Sequence, residues 1–158
     1  MSREFEETPY AEALGSDPAF GAMSAVAAVV RNAEGIRRRF AQDGGVGVSE
    51  VRALFRILEG GSLTPRDLAE SLDLNSGSVT ALIDRLEADA LVHRVAHPSD
   101  RRMLVVELTP AGRTMTGRWM STYADIVRRS LDGVQPEEVD VIVGFLRRVE
   151  TGMRAAEL

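Results

Sequence analysis

Two short helix signals that follow each other closely constrain the fold of this chain more than any other feature. In "LTPRDLAESLDL", Thr64 is suited to cap a helix, Pro65 to open it and Asp67 to complete the cap. In "NSGSVTALIDRLEA", either Asn75 or Ser76 is suited to cap the next helix. Since only a few residues separate the two segments, they predict a helix-turn-helix. The apolar face of the second helix is predicted to consist of Val79, Leu82, Ile83 and Leu86.

A β-hairpin is predicted directly after this helix pair. The segment "VHRVAHPSDRRMLVVEL" has two β-rich arms around the turn residues Pro98, Ser99 and Asp100. Arg101 and Arg102 follow at the tip. The expected fold class is therefore mainly α with a small β-hairpin wing, that is, a winged helix-turn-helix.

Amphipathic helices are predicted on both sides of this core. The first covers about residues 21–42, and a second begins at Ser49 as its cap. Beyond the hairpin, Thr109 with Pro110 starts a long helix, and a last helix begins near Pro136. The apolar faces of the end helices have no partner in so small a core, so we expect them to pack together across a two-fold axis.

Composition excludes several classes of protein. Among 158 residues there is no cysteine and there are two histidines, which argues against disulfides, thiolate sites and a zinc site. The acidic N-terminal residues do not resemble a secretory signal, and no apolar run is long enough for a bilayer, so a cytoplasmic protein without a membrane partner is expected. A Gly-x-Ser-x-Gly elbow and a phosphate-binding Gly-Lys loop are both absent, so we expect neither an enzyme nor a cofactor.

The run from Leu63 to Gly112 resembles the winged helix-turn-helix core of the MarR family of bacterial transcription regulators. The resemblance covers about 50 residues directly, and the flanking helices fit the family's dimerisation region in order and length. The excess of carboxylates near the N-terminus predicts an acidic polar tail over residues 1–20, and the resemblance implies a single MarR-like domain over 21–158. The winged core is expected at about 49–112, and the dimerisation helices at about 21–42 and 110–156.

The resemblance and the helix geometry together give a set of DNA-binding residues. At 100° per residue, the face opposite the apolar one is small and able to approach base edges in a major groove. By resemblance, Asp100 orients an arginine while Arg101 or Arg102 reaches DNA, and Arg102 fits the family pattern better. For Ser78 and Thr80, ordinary solvent exposure is an equally good interpretation. The predicted DNA-binding residues are Ser76, Gly77, Ser78, Thr80, Ala81, Arg85, Arg94, Asp100, Arg101 and Arg102.

The sequence departs from the commoner family pattern at three positions. Ser76 and Ala81 stand where relatives often carry a basic residue, and Ala90 stands where a glycine usually leads into the wing. The stretch 75–102 contains four arginines and four carboxylates, so its net charge is zero. We therefore expect weak nonspecific DNA affinity with a shallow salt dependence.

A ligand site is also predicted. Trp119 and Tyr123 lie four residues apart on one helix, so their rings can meet on one face. The resemblance implies a crevice for a small aromatic or amphipathic effector, which these rings could line together with Arg52 and Phe55. Plain core and dimer packing is the alternative for each of the four.

The sequence predicts a homodimeric transcription regulator that binds a specific sequence of double-stranded DNA. By resemblance it is a repressor on a palindromic operator, with half-sites about one helical turn apart, released by a small ligand. The alternative is a winged-helix protein-interaction module that has lost specific DNA binding.

Overall fold

The computed structural model describes residues 17–100 and 102–156 of the chain. Arg101, one of the predicted DNA contacts, and most of the predicted acidic tail lie outside the described residues. Within them the elements are, in order, α1 Pro18–Gly44, α2 Val48–Gly60, β1 Ser62–Leu63, α3 Pro65–Leu72, α4 Ser76–Ala88, β2 Val92–Ala96, β3 Leu104–Leu108, α5 Pro110–Ser130 and α6 Pro136–Ala155.

The first two helices have local capping signals that explain where they begin and end. Asp17 caps α1 by accepting the N–H of Ala19 at 2.8 Å, so the last residues of segment 1–20 are already helical. Gly45, with φ of 66°, ends α1 in the left-handed conformation that glycine adopts without a steric penalty. The prediction that Ser49 caps α2 is wrong, because Gly47 is the cap and Ser49 lies inside the first turn.

The helix-turn-helix is confirmed. Thr64 accepts the N–H of Asp67 at 3.1 Å, and the Asp67 carboxylate accepts the N–H of Thr64 at 3.3 Å. Asp73, left-handed with φ of 56°, ends α3. Asn75 rather than Ser76 caps α4, since its side-chain oxygen accepts the N–H of Ser78 at 2.8 Å. The turn between the helices is therefore only three residues long.

The wing belongs to a three-stranded antiparallel sheet in the order β1-β3-β2. The two predicted arms pair as expected, with Arg94 opposite Val106. The strand β1 was not predicted from the sequence; in it Ser62 pairs with Glu107 and Leu63 with Val106. A strand of two residues is too short to show an alternating pattern.

The core lies where α2, α3 and α4 meet the sheet. All four residues predicted for the apolar face of α4 are buried, at 2% exposure or less. They are joined by apolar residues of the neighbouring elements, namely Val51, Leu54, Ile57, Leu68, Val92, Val106 and Leu108. This packing fixes which face of α4 remains exposed.

The connection from α4 into the wing is tightly built. Ala90 is left-handed, with φ of 54°, a conformation that glycine adopts more readily than alanine. The Thr109 hydroxyl donates to the carbonyl of Ala90 at 2.7 Å and accepts the N–H of Gly112 at 3.0 Å. A Cβ on Gly112 would lie 2.1 Å from the carbonyl oxygen of Leu91, so only glycine allows this approach.

The described chain divides into two compact units, one ending at Thr116 and one beginning at Gly117. The second unit contains the part of α5 from Gly117 onwards and the whole of α6. Every residue of α6 retains at least partial exposure, including the apolar residues Val141, Leu146 and Met153. None of the described helices is both long and apolar enough to span a bilayer.

Candidate nucleic-acid interface

The exposed face of α4 begins at its N-terminus. Ser76, Gly77, Ser78, Thr80 and Ala81 are all exposed, as the helix geometry predicts. The Thr80 hydroxyl donates to the carbonyl of Ser76 at 2.8 Å, which leaves its methyl group and its oxygen lone pairs for other contacts. The surface is therefore made of small side chains that allow another molecule to approach the helix closely.

Arg94, on β2, binds back onto α4. Its Nη2 donates to Asp84 at 2.5 Å and its Nη1 donates to Glu87. The backbone N–H of Arg94 also donates to Glu87, at 3.1 Å. The hydrogen bond with Asp84 raises the pKa of the Arg94 guanidinium, and the charge of Glu87 adds to this effect. Both ends of its fork are thus occupied within the protein, although Arg94 was among the residues predicted to bind DNA.

Arg85 pairs with a carboxylate on a different helix. Its Nε donates to Glu50 of α2 at 2.6 Å. The Arg85 side chain is 59% exposed, while that of Glu50 is 11% exposed. Arg85, one of the predicted DNA-binding residues, is therefore anchored at Nε while more than half of its side chain is exposed to solvent.

The wing turn is closed by a network of hydrogen bonds. His97 donates its N–H to the carbonyl of Met103 at 2.9 Å, and Met103 donates to the carbonyl of Asp100 at 3.0 Å. The Asp100 carboxylate accepts the backbone N–H of Arg102 at 3.0 Å. Asp100 thus holds the main chain of Arg102, whose exposed side chain lies at the tip of the wing.

The four residues predicted to bind an effector are spread over two helices. Arg52 is exposed on α2 and donates from Nη2 to the carbonyl of Leu72 at 3.4 Å. Phe55 is half-buried on α2, with its ring centroid 6.3 Å from that of Phe40. Trp119 is buried and Tyr123 half-buried on α5, in the second unit. The effector site therefore stays a prediction.

The described part of the chain has no candidate metal-binding site. Residues 17–100 and 102–156 contain no group of three histidine, aspartate or glutamate side chains placed to hold an ion.

Sequence reasoning missed Glu50 and the pairing of Asp84 and Glu87 with Arg94. A Gly47-x-x-Glu50 cap was a weak local signal for Glu50, since it resembles a capping box with glycine at the cap. The partners of these carboxylates come from other elements, so their pairing is not visible in local patterns.

Comparison with known proteins decides the family. Residues 48–104, which contain the helix-turn-helix and most of the wing, match the family model described as "MarR family". The chain belongs to the MarR family. The prediction made from "LTPRDLAESLDLNSGSVTALIDRLEA" and the wing motif is thereby confirmed.

Individual relatives of this MarR-family chain are transcription regulators by name. The regulator YhbI of Bacillus subtilis is 31% identical over 102 residues, covering 63% of this chain and 66% of YhbI. The repressor YetL of the same organism is 28% identical over 84 residues, covering 53% of this chain and 50% of YetL. The chain thus spans only about two thirds or half of these relatives. Their names agree with the expectation of a regulator rather than an enzyme.

Solved structures confirm the fold. A MarR family protein from Bacillus stearothermophilus covers 86% of this chain and 95% of its own length, with a TM-score of 0.72 at 21% identity. A MarR family regulator from Silicibacter pomeroyi covers 87% and 92%, with a TM-score of 0.67 at 23% identity. The chain therefore has the winged-helix fold of this family.

Proposed function

We propose that this MarR-family chain is a homodimeric transcription regulator that binds a specific double-stranded DNA sequence. One observation carries the proposal: α4 exposes a face of small residues, and the wing that follows it exposes Arg102 at its tip. The apolar face of α4 is buried in the core, which leaves the small residues Ser76 to Ser78, Thr80 and Ala81 exposed to solvent. A helix of this kind can enter a major groove while the wing reaches the adjacent minor groove or backbone.

The side chains of α4 favour a particular kind of base contact. Ala81 and the Thr80 methyl group are apolar and exposed, which suits them to the methyl group of thymine. The Thr80 oxygen keeps lone pairs that can accept from an exocyclic amine. We therefore expect an operator half-site that contains A·T pairs where this helix docks.

The wing supplies the cationic contact. Asp100 fixes the backbone of Arg102, so the position of the guanidinium depends mainly on its own side-chain rotamers. The narrow minor groove of A·T-rich DNA has a strong negative potential that attracts arginine. This supports Arg102 as the wing residue that contacts DNA.

The exposed apolar residues of the end helices support a homodimer. Val141, Ile142, Leu146 and Met153 of α6 and Met23 of α1 are each more than 40% exposed. Such residues on an amphipathic helix are typical of a protein-protein interface. A two-fold dimer would present two α4 helices to a palindrome with half-sites about one helical turn apart.

Repression and release by a small ligand complete the proposal. Repression is supported by the name of the relative YetL, which is a transcriptional repressor. We propose that Arg52, Phe55, Trp119 and Tyr123 contribute to binding an aromatic or amphipathic effector. As DNA is the target, we place the protein in the cytoplasm.

Selection from random duplex DNA at two salt concentrations tests this function. We expect enrichment of a palindrome, and we expect Arg102→Ala to abolish its binding. Arg56→Ala is the matched control, because it removes an exposed arginine from α2, outside α4 and the wing. If the folded wild type selects no duplex at either salt concentration, DNA regulation is wrong and the protein-interaction module is favoured.

A further inference from the structure

Glu50 is a charged residue in a nearly closed environment. It lies in the first turn of α2 and is 8% exposed as a residue. One carboxylate oxygen accepts the N–H of Gly47, and the other accepts Nε of Arg85 at 2.6 Å. A buried carboxylate is costly unless both oxygens have partners, and here each oxygen has one.

Arg85 is held by one of its nitrogens. An arginine has five N–H donors, and the bond to Glu50 uses the single donor on Nε. Within the described part of the chain, Nη1 and Nη2 of Arg85 make no hydrogen bond. Arg94 contrasts with it, because both of its Nη atoms donate to carboxylates. Of these two arginines, Arg85 is the one with an open fork.

We propose that Glu50 is a positioning residue that orients the guanidinium of Arg85 towards a phosphate of the DNA backbone. This inference rests on the proposed function. Phosphates border the major groove that α4 would enter, and Arg85 lies beside the exposed face of that helix. Anchoring Nε restricts the rotation of a long side chain before DNA binds, so less conformational entropy is lost on binding. The Nη1 and Nη2 pair of an arginine matches the bidentate geometry of a phosphate.

Glu50→Gln separates positioning from simple stabilisation. The glutamine carbonyl can still accept the N–H of Gly47, but its amide nitrogen cannot accept from Arg85. Glu59→Gln is the matched control, because Glu59 lies on the same helix, pairs with Arg56 at 3.0 Å and carries the same charge. Loss of a negative charge alone should strengthen DNA binding slightly, so weaker binding by Glu50→Gln has the opposite sign.

The experiment measures the affinity of each folded variant for the duplex selected by the wild type, over a series of salt concentrations. We expect Glu50→Gln to bind about tenfold more weakly, as for loss of one charge-assisted hydrogen bond. We also expect the slope of log affinity against log salt to fall by about one per subunit. A purely structural role of Glu50 would lower stability without changing this slope. Glu59→Gln should match or slightly exceed the wild type.

Two further variants keep the inference falsifiable. In an Arg85→Gln background, Glu50→Gln should cause no additional loss. Arg85→Lys keeps a cation for Glu50 but has no fork, so it should also bind about tenfold more weakly even if Glu50→Gln fails to fold. The inference is overturned if Glu50→Gln or Arg85→Lys binds with wild-type affinity and slope. If the wild type and Glu59→Gln bind no duplex, the proposed function itself fails, and the inference with it.

Discussion

Ala90→Gly should stabilise the protein, although it removes a side chain. Ala90 is left-handed with φ of 54°, a conformation that costs an L-residue about 1–2 kcal/mol and glycine almost nothing. Its side chain is exposed, so little buried area is lost. Its N–H and its carbonyl are bonded to Glu87 and Thr109, and both bonds survive the change.

The expected gain follows from two opposing terms. Glycine relieves the left-handed backbone, but it raises the entropy of the unfolded chain by about 0.5–1 kcal/mol relative to alanine. The net increase in the free energy of unfolding is therefore about 0.5–1 kcal/mol, which is a rise of about 1–4 °C in Tm for a chain of this size.

Urea and thermal unfolding at one fixed protein concentration measure this gain, because a dimer's apparent stability depends on concentration. Ala81→Gly is the control. It makes the same exchange at an exposed position inside α4, where we expect a loss of about 1 kcal/mol. If both variants are destabilised equally, the backbone of Ala90 is not strained and the reasoning is refuted.

Two other substitutions test contacts around the wing. Gly112→Ala should lower the free energy of unfolding by about 2–3 kcal/mol, because its Cβ would collide with the Leu91 carbonyl. Gly117→Ala, with no atom within 4 Å of its Cβ, should be neutral or slightly stabilising in the same urea titration, and equal losses would contradict the steric argument. Arg94→Met should cost about 1 kcal/mol, because Asp84 and Glu87 then repel each other without their shared cation. Added salt should recover part of that loss in urea unfolding, and a loss unaffected by salt would argue against repulsion.

Features that depend on neighbouring residues could be predicted from the sequence. The Thr64 and Asp67 cap involves atoms three residues apart, and the apolar face of α4 follows from helix periodicity alone. The predicted cap of α2, Ser49, lies two residues beyond the observed cap, Gly47, because serine usually outranks glycine as a cap. Here the choice depends on Glu50, which reaches back to Gly47 while it pairs with Arg85 on another helix.

The candidate site also depends on contacts between distant residues, so less of it could be predicted from the sequence. Counting charges over residues 75–102 gives a balance of zero, which predicts weak nonspecific binding but treats its four arginines alike. The structure makes Arg85 and Arg94 different. Arg94 is 24% exposed and its fork is occupied by two carboxylates, while Arg85 is 59% exposed and, among the described residues, is bonded through Nε alone.

The different bonding of Arg85 and Arg94 depends on contacts between elements that are separated in the sequence. Arg85 meets Glu50 across 35 residues, and Arg94 meets Asp84 only because β2 returns alongside α4. An arginine that neutralises carboxylates inside the protein releases no counterions from DNA, so it does not add to the salt dependence of binding. The slope of log affinity against log salt concentration therefore depends on how many arginines have Nη atoms available to bind phosphate. The net charge of the segment does not give that number.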